Sequence, residues 1–73
     1  MTAKEVILQR MADVLEMEVT PATDLQATGK WDSLAVVVTI GAIDEANGAE
    51  VDGVALSKCQ TAADVLRLAG VAP

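Results

Sequence analysis

One segment constrains the fold more than any other: Ser33 to Asn47, SLAVVVTIGAIDEAN, bracketed by Asp32 and Gly48. Its valine run, Val36-Val37-Val38, has strand propensity. The apolar pattern nevertheless continues through Ile40, Ala42 and Ile43, which is too long for a typical strand and suits a helix. Asp32 is a good N-cap, and Asn47-Gly48 is a good stop with Gly48 at the left-handed position after the helix. The spacing predicts a helix that starts at Asp32 or Ser33 and ends near Asn47. On the 3.6-residue period, Val36, Thr39, Ile40 and Ile43 form one apolar stripe; Leu34, Val37, Val38 and Gly41 form a second. One stripe is enough to dock a surface helix on its neighbours. The second is accounted for either by a central helix covered on two sides or by a surface left open for a partner. A chain of 73 residues buries only about 60% of its unfolded surface, so full burial of one helix is hard to achieve. Leu34, at the helix start, is the best candidate for an exposed contact.

The remaining segments read as helices around this one. Thr2 and Glu5 form a capping box for a first helix from about Ala3 to Met17. Ile7, Met11, Val14 and Leu15 share one face of it, with Ala3 and Leu8 flanking, while Lys4, Arg10, Asp13 and Glu16 face water. A long connection follows, from Glu18 to Trp31, broken by Pro21 and Gly29. Loops of this length are uncommon unless functional or disordered. Val19 and Leu25 are apolar anchors, so we expect it to be ordered. A short third helix from about Gly53 to Lys58 and a fourth from about Thr61 to Ala69 complete the chain. In the fourth, Thr61 and Asp64 form a second box, with Ala62, Val65, Leu66 and Leu68 as apolar cover. The terminal GVAP ends that helix and is expected to fray. The expected fold is all-α: a four-helix bundle with a long first loop and a short third helix, in one domain over residues 1–73.

Composition narrows the function. The chain has one cysteine and no histidine. That excludes an intrachain disulfide and a Cys/His zinc site, and we expect no metal site. A lone thiol suits a reducing compartment, and the N-terminus lacks a signal-peptide layout; the expected location is cytoplasmic. No apolar run is long enough to span a membrane. The net charge of −6 lacks the basic footprint that nucleic acid requires. Acidity favours basic partner surfaces, although by itself it is explained by solubility alone.

Only GKWDSL, Gly29 to Leu34, looks like chemistry. Ser33 stands in the first turn of the second helix, where backbone N–H groups lack partners and the dipole favours a phosphate. A phosphodiester on its hydroxyl would be stabilised there, with Asp32 as an opposing negative neighbour. From these two residues alone, an ordinary helix start is the simpler reading.

In its setting the stretch resembles the acyl carrier protein family. The similarity lies in WDSLAVV followed by IDEANGAEVDGVALSKCQTAADVLRLAG. It includes Asp-Ser-Leu at the start of the second helix, a long loop with Thr-Pro and Asp-Leu before it, an acidic Asp-Glu late in that helix, and a last helix opened by Thr-x-x-Asp. It covers about Val6 to Leu68. The resemblance implies that Ser33 is the attachment point of a 4′-phosphopantetheine taken from coenzyme A by a separate phosphopantetheinyl transferase. It implies that Asp32 assists the transferase and its magnesium ion, and that Leu34 enters partner pockets. The cargo would be a thioester on the prosthetic thiol, handed between acyl-loading and acyl-using enzymes, and the protein itself would catalyse nothing. Trp31, Val37, Val38 and Glu45 complete the expected partner-binding face on what we expect to be a monomer.

The sequence departs from carriers of primary fatty acid synthesis, which usually place acids soon after the serine. Here Ala35 and Val38 stand in those places, and charge returns only at Asp44 and Glu45. The expectation is a stand-alone carrier for a dedicated polyketide, modified-lipid or aminoacyl-thioester pathway. Trp31 has two readings: a loop anchor whose indole N–H reaches a carbonyl, or a contact to arm, cargo or partner. Cys59 reads as a buried structural thiol, Met11 and Met17 as packing, and Lys30 as solvated. The rivals are a peptidyl carrier, which usually shows Gly-Gly before the site, and a helical interaction module with Ser33 bare. A hydrolase has no base to activate Ser33.

Overall fold

The computed structural model describes residues 1–73 and contains four α-helices: α1, Ala3–Leu15; α2, Ser33–Asn47; α3, Gly53–Ser57; and α4, Ala62–Leu68. The all-α, acyl-carrier-like bundle expected from the sequence is the observed fold.

Local chemistry starts α1 and α4. The Thr2 hydroxyl accepts from the Glu5 N–H at 3.1 Å, and the Glu5 carboxylate accepts from the Thr2 N–H at 3.2 Å. Thr61 and Asp64 repeat the arrangement: the Asp64 N–H donates to the Thr61 hydroxyl at 3.3 Å, and the Asp64 carboxylate takes the Thr61 N–H at 3.1 Å. Each box satisfies donors that a helix start otherwise leaves open. Hydrogen bonds from Thr2, its backbone N–H first, hold the Glu5 carboxyl below the usual carboxylate range. The Thr61 N–H, followed by the Gln60 N–H and the Arg67 guanidinium, does the same for Asp64. A carboxyl whose folded pKa lies below its unfolded value stabilises the fold above the unfolded value and ceases to do so as pH falls through the folded one. The denaturant midpoint should therefore be flat from neutral pH to about pH 5 and fall below about pH 4. Asp64→Asn should flatten part of that acid limb in urea titrations across this range.

Helix α1 ends at Leu15, two residues before the expected Met17. Glu16 takes a left-handed conformation at φ 56°, and the Met17 N–H turns back to the Ala12 carbonyl at 3.2 Å. The reversal uses a glutamate where a glycine is the usual signal, and it leaves Met17 exposed rather than packed. At the other end of the chain, Leu68 is 44% exposed and does not cover the core as expected, while Ala69 does. Gly70 at φ 74° closes α4, and the Val71 N–H returns to the Leu66 carbonyl at 2.8 Å, so the first residues of the tail pack back onto the bundle.

The core is aliphatic. Ile7, Met11 and Leu15 of α1 meet Ile43 of α2, Leu56 of α3, and Val65 and Leu66 of α4, all fully buried. Ala35 and Ala42 join the buried face of α2, which lets α1 approach closely; Ile40 moves to its edge and is only partly buried. The buried Thr39 hydroxyl donates to the Ala35 carbonyl at 2.8 Å, so no polar atom is stranded there. Cys59 is buried with its thiol 3.5 Å from the Ala55 carbonyl, and burial pushes the thiol's pKa up, as fits an inert packing residue.

The long loop is ordered, as its anchors imply. Val19 and Leu25 are both buried. A 3-10 turn at Gln26–Thr28, closed by Gly29 at φ 69°, breaks its length. The loop also completes its neighbours. The Thr23 and Pro21 carbonyls accept the first N–H groups of α4, from Ala62 at 3.1 Å and Ala63 at 2.9 Å. The Gln26 side-chain amide donates to the Ser57 and Cys59 carbonyls, at 3.1 and 2.9 Å, where α3 ends. No helix is long and apolar enough to cross a membrane.

Candidate functional site

Ser33 is the first residue of α2 and is exposed. Asp32 precedes it as N-cap and accepts the Ala35 N–H at 3.0 Å through one carboxylate oxygen; the Asp32 carbonyl takes the Val36 N–H at 3.0 Å. This leaves the backbone N–H groups of Ser33 and Leu34 and the Ser33 hydroxyl without protein partners. Open donors at the positive end of a helix of 15 residues form a suitable environment for a phosphate ester.

Trp31 brings the third helix to this point. Its indole N–H donates to the Leu56 carbonyl of α3 at 3.0 Å, and its half-buried ring packs against the core. The anchor expected from the sequence is thus formed. The ring also lines a groove of about 480 Å³ between α2 and α3. Ser33, Val36, Val37 and Ile40 make the α2 wall, and Asp52, Val54 and Ser57 make the α3 wall. The helices meet across Gly53, where an added Cβ would lie 3.5 Å from Ile40 Cδ1 and 3.8 Å from Val36 Cγ1. Trp31 therefore anchors the loop to α3 and borders the space beside Ser33. Trp31→Phe keeps an aromatic side chain but trims the indole to a smaller phenyl and removes the donor. The lost hydrogen bond should cost about 0.5–1.5 kcal/mol and the lost ring packing adds to it, read as a lower urea midpoint with an unchanged slope.

The structure brings together Trp31, Asp32, Ser33 and Val37 around the groove. Leu34 stands beside it, 65% exposed, and Val37 is 63% exposed. Val38 is half-buried and lies outside the groove. Glu45 shares the Leu34 face of α2 but is roughly 18 Å from Ser33 along the helix, at 1.5 Å per residue. Its carboxylate is held by Arg10 at 2.7 Å. Sequence reasoning missed the α3 wall. Val54 and Ser57 belong to a helix of five residues, with Asp52 as its N-cap, too short for periodicity to show which face it turns to α2. Val54, 60% exposed, lines the groove across from Val37.

A family described as "Phosphopantetheine attachment site" matches residues 5–69 of the chain. That span includes all four helices except the first two residues of α1. The chain belongs to this family of carrier proteins, whose members bear a covalently attached 4′-phosphopantetheine and work with phosphopantetheinyl transferases and partner enzymes. Such domains are generally not catalysts themselves. No curated protein and no solved structure gives a significant match.

Proposed function

We propose that the protein is an acyl carrier for a dedicated biosynthetic pathway and that Ser33 bears its phosphopantetheine. The observation that carries this reading is the position of Ser33: exposed, unpartnered, in the first turn of α2, and opening onto an apolar groove. In the loading step the Ser33 hydroxyl oxygen bonds to the β-phosphorus of coenzyme A, and the pyrophosphate P–O bond breaks. Adenosine 3′,5′-bisphosphate leaves, and the hydroxyl proton passes to a base of the transferase. The open N–H groups of Ser33 and Leu34 face the resulting phosphodiester charge. Asp32 keeps one carboxylate oxygen free of the cap, available to the transferase and its magnesium ion. The bound arm supplies the thiol on which acyl groups travel as thioesters, raising their effective concentration at each partner.

Leu34, Val37 and Val38, with Trp31 at the margin, form the partner-binding face in this reading, and Glu45 marks its far acidic end. The absence of acids between Ser33 and Asp44 supports partners that meet α2 with apolar surface. The Arg10 pairing further mutes Glu45 as an attraction for basic partners. A dedicated pathway, of the polyketide or modified-lipid kind, fits this face better than the basic docking surfaces of primary fatty acid synthesis. The test is to isolate the protein from its native host, release the cargo with neutral hydroxylamine and identify the hydroxamate by mass spectrometry. A carboxylic acyl hydroxamate is expected. An amino acid hydroxamate would make the protein an aminoacyl carrier instead.

A further inference from the structure

We propose that α2 carries a latent self-association segment: residues 34–43, once released from the bundle, pair as a β-strand with the same segment of a second copy of the chain. This holds whatever Ser33 carries. Residues 33–43 form a run of eleven with no charge and no proline, and no other such run in the chain exceeds five. Val36 to Ile40 are five consecutive β-branched residues, which favour the pleated conformation and lose side-chain freedom in a helix. Gly41 follows in the helix interior, where only proline is less favourable than glycine. A Cβ added at Gly41 would meet nothing within 4 Å, so no close packing in the bundle demands a glycine there. Local preference thus opposes the helix these residues form. Packing holds it: Ala35, Val36, Thr39, Ala42 and Ile43 are buried in the bundle. Once that packing is lost, the segment has the composition that stacks with copies of itself: strong β preference, no charge and no proline. As a strand it would place Leu34, Val36, Val38 and Ile40 on one face, an apolar surface that a second sheet covers. The acids at Asp32, Asp44 and Glu45 flank the segment and do not interrupt it. Release is within reach, because a domain this short has little stability to spare.

Leu25→Ala removes a fully buried side chain of the long loop and leaves the segment itself unaltered, so it raises the unfolded population without touching the proposed contact. The full-length variant is incubated at neutral pH. Wild-type protein held at its thermal midpoint gives a second route to the same population. Both should form fibrils that bind thioflavin T, show a repeat of about 4.7 Å along the fibril, and keep a protease-resistant core that mass spectrometry maps to residues 34–43. Two lysine substitutions locate the contact. Val37 of α2 and Val54 of α3 are similarly exposed, at 63% and 60%, so a lysine at either leaves the bundle folded. Added to Leu25→Ala and compared at equal unfolded fraction, Val37→Lys should abolish the fibrils, because stacked copies bring like charges together. Val54→Lys should not. Each lysine moves the net charge of −6 towards zero, so protection by Val37→Lys does not come from overall repulsion between chains. Amorphous aggregate or none from both unfolded populations, a protected core outside residues 34–43, or equal protection by the two lysines would overturn the proposal.

Discussion

Leu25→Ala should be the most damaging single truncation in the long loop, lowering stability by about 2–5 kcal/mol, the range for fully buried leucines. Leu25 is completely buried although it sits in a connection, and its backbone N–H donates to the Gln60 carbonyl at 2.8 Å. Next to it, Asp24 forms a bridge with Thr61. The side chain thus holds the loop against the start of α4, where Thr23 and Pro21 supply acceptors for the first two N–H groups of that helix. Its removal leaves a cavity and loosens those acceptors together. Small domains have total stabilities of about 5–15 kcal/mol, and one this short is expected near the bottom of that range, so a substantial unfolded population should appear at room temperature. Leu34→Ala is the control: 65% exposed, it should change stability by no more than about 0.5 kcal/mol. Equal urea midpoints for the two variants would mean that Leu25 does not pin the loop.

Ser33→Ala should have the largest functional effect and almost no structural one. The cap of α2 uses Asp32, not Ser33, and the serine side chain is exposed without a protein partner. Stability should stay within about 0.5 kcal/mol of wild type, while phosphopantetheinylation should fall to nothing, because the oxygen proposed to form the ester is gone. Asp32→Ala should behave differently. It removes the side chain that accepts the Ala35 N–H and should cost about 1 kcal/mol for the lost cap, with slowed rather than abolished loading. The contrast separates the residue proposed to bear the arm from the one that caps the helix beneath it.

The parts of this fold that were legible in the sequence are those fixed by neighbouring residues. The Thr2–Glu5 and Thr61–Asp64 boxes, the Asp32 cap and the Gly48 stop each depend on side chains within a few positions of the backbone they satisfy, and all four are formed. The exposure of Leu34 followed from an excess of apolar surface that a small bundle has no room to cover. What was not legible depends on distant partners. Glu16 reverses α1 without the glycine that would announce it. The Gln26 amide at the end of α3 makes contacts about thirty residues apart in sequence. Leu68 looked like core because it lies near Val65 and Leu66, but its side of α4 faces outward. The groove beside Ser33 was half visible: Val37 and the other residues of its α2 wall belong to a readable helix, whereas α3 is too short to reveal where it docks. Trp31 joins the two halves through its bond to Leu56, which sequence reasoning could name only as an unspecified carbonyl.

Ser33, and no other hydroxyl of this chain, is the proposed recipient of the phosphopantetheine. The most direct test is the intact mass of the wild-type and Ser33→Ala proteins after incubation with coenzyme A, magnesium and a broad-range phosphopantetheinyl transferase, followed by fragmentation to locate the added mass. The expected result is a gain of one phosphopantetheine on the wild-type protein, located at Ser33, and none on the variant. A gain on the Ser33→Ala protein, or no gain on a wild-type protein shown to be folded with two different transferases, would contradict it.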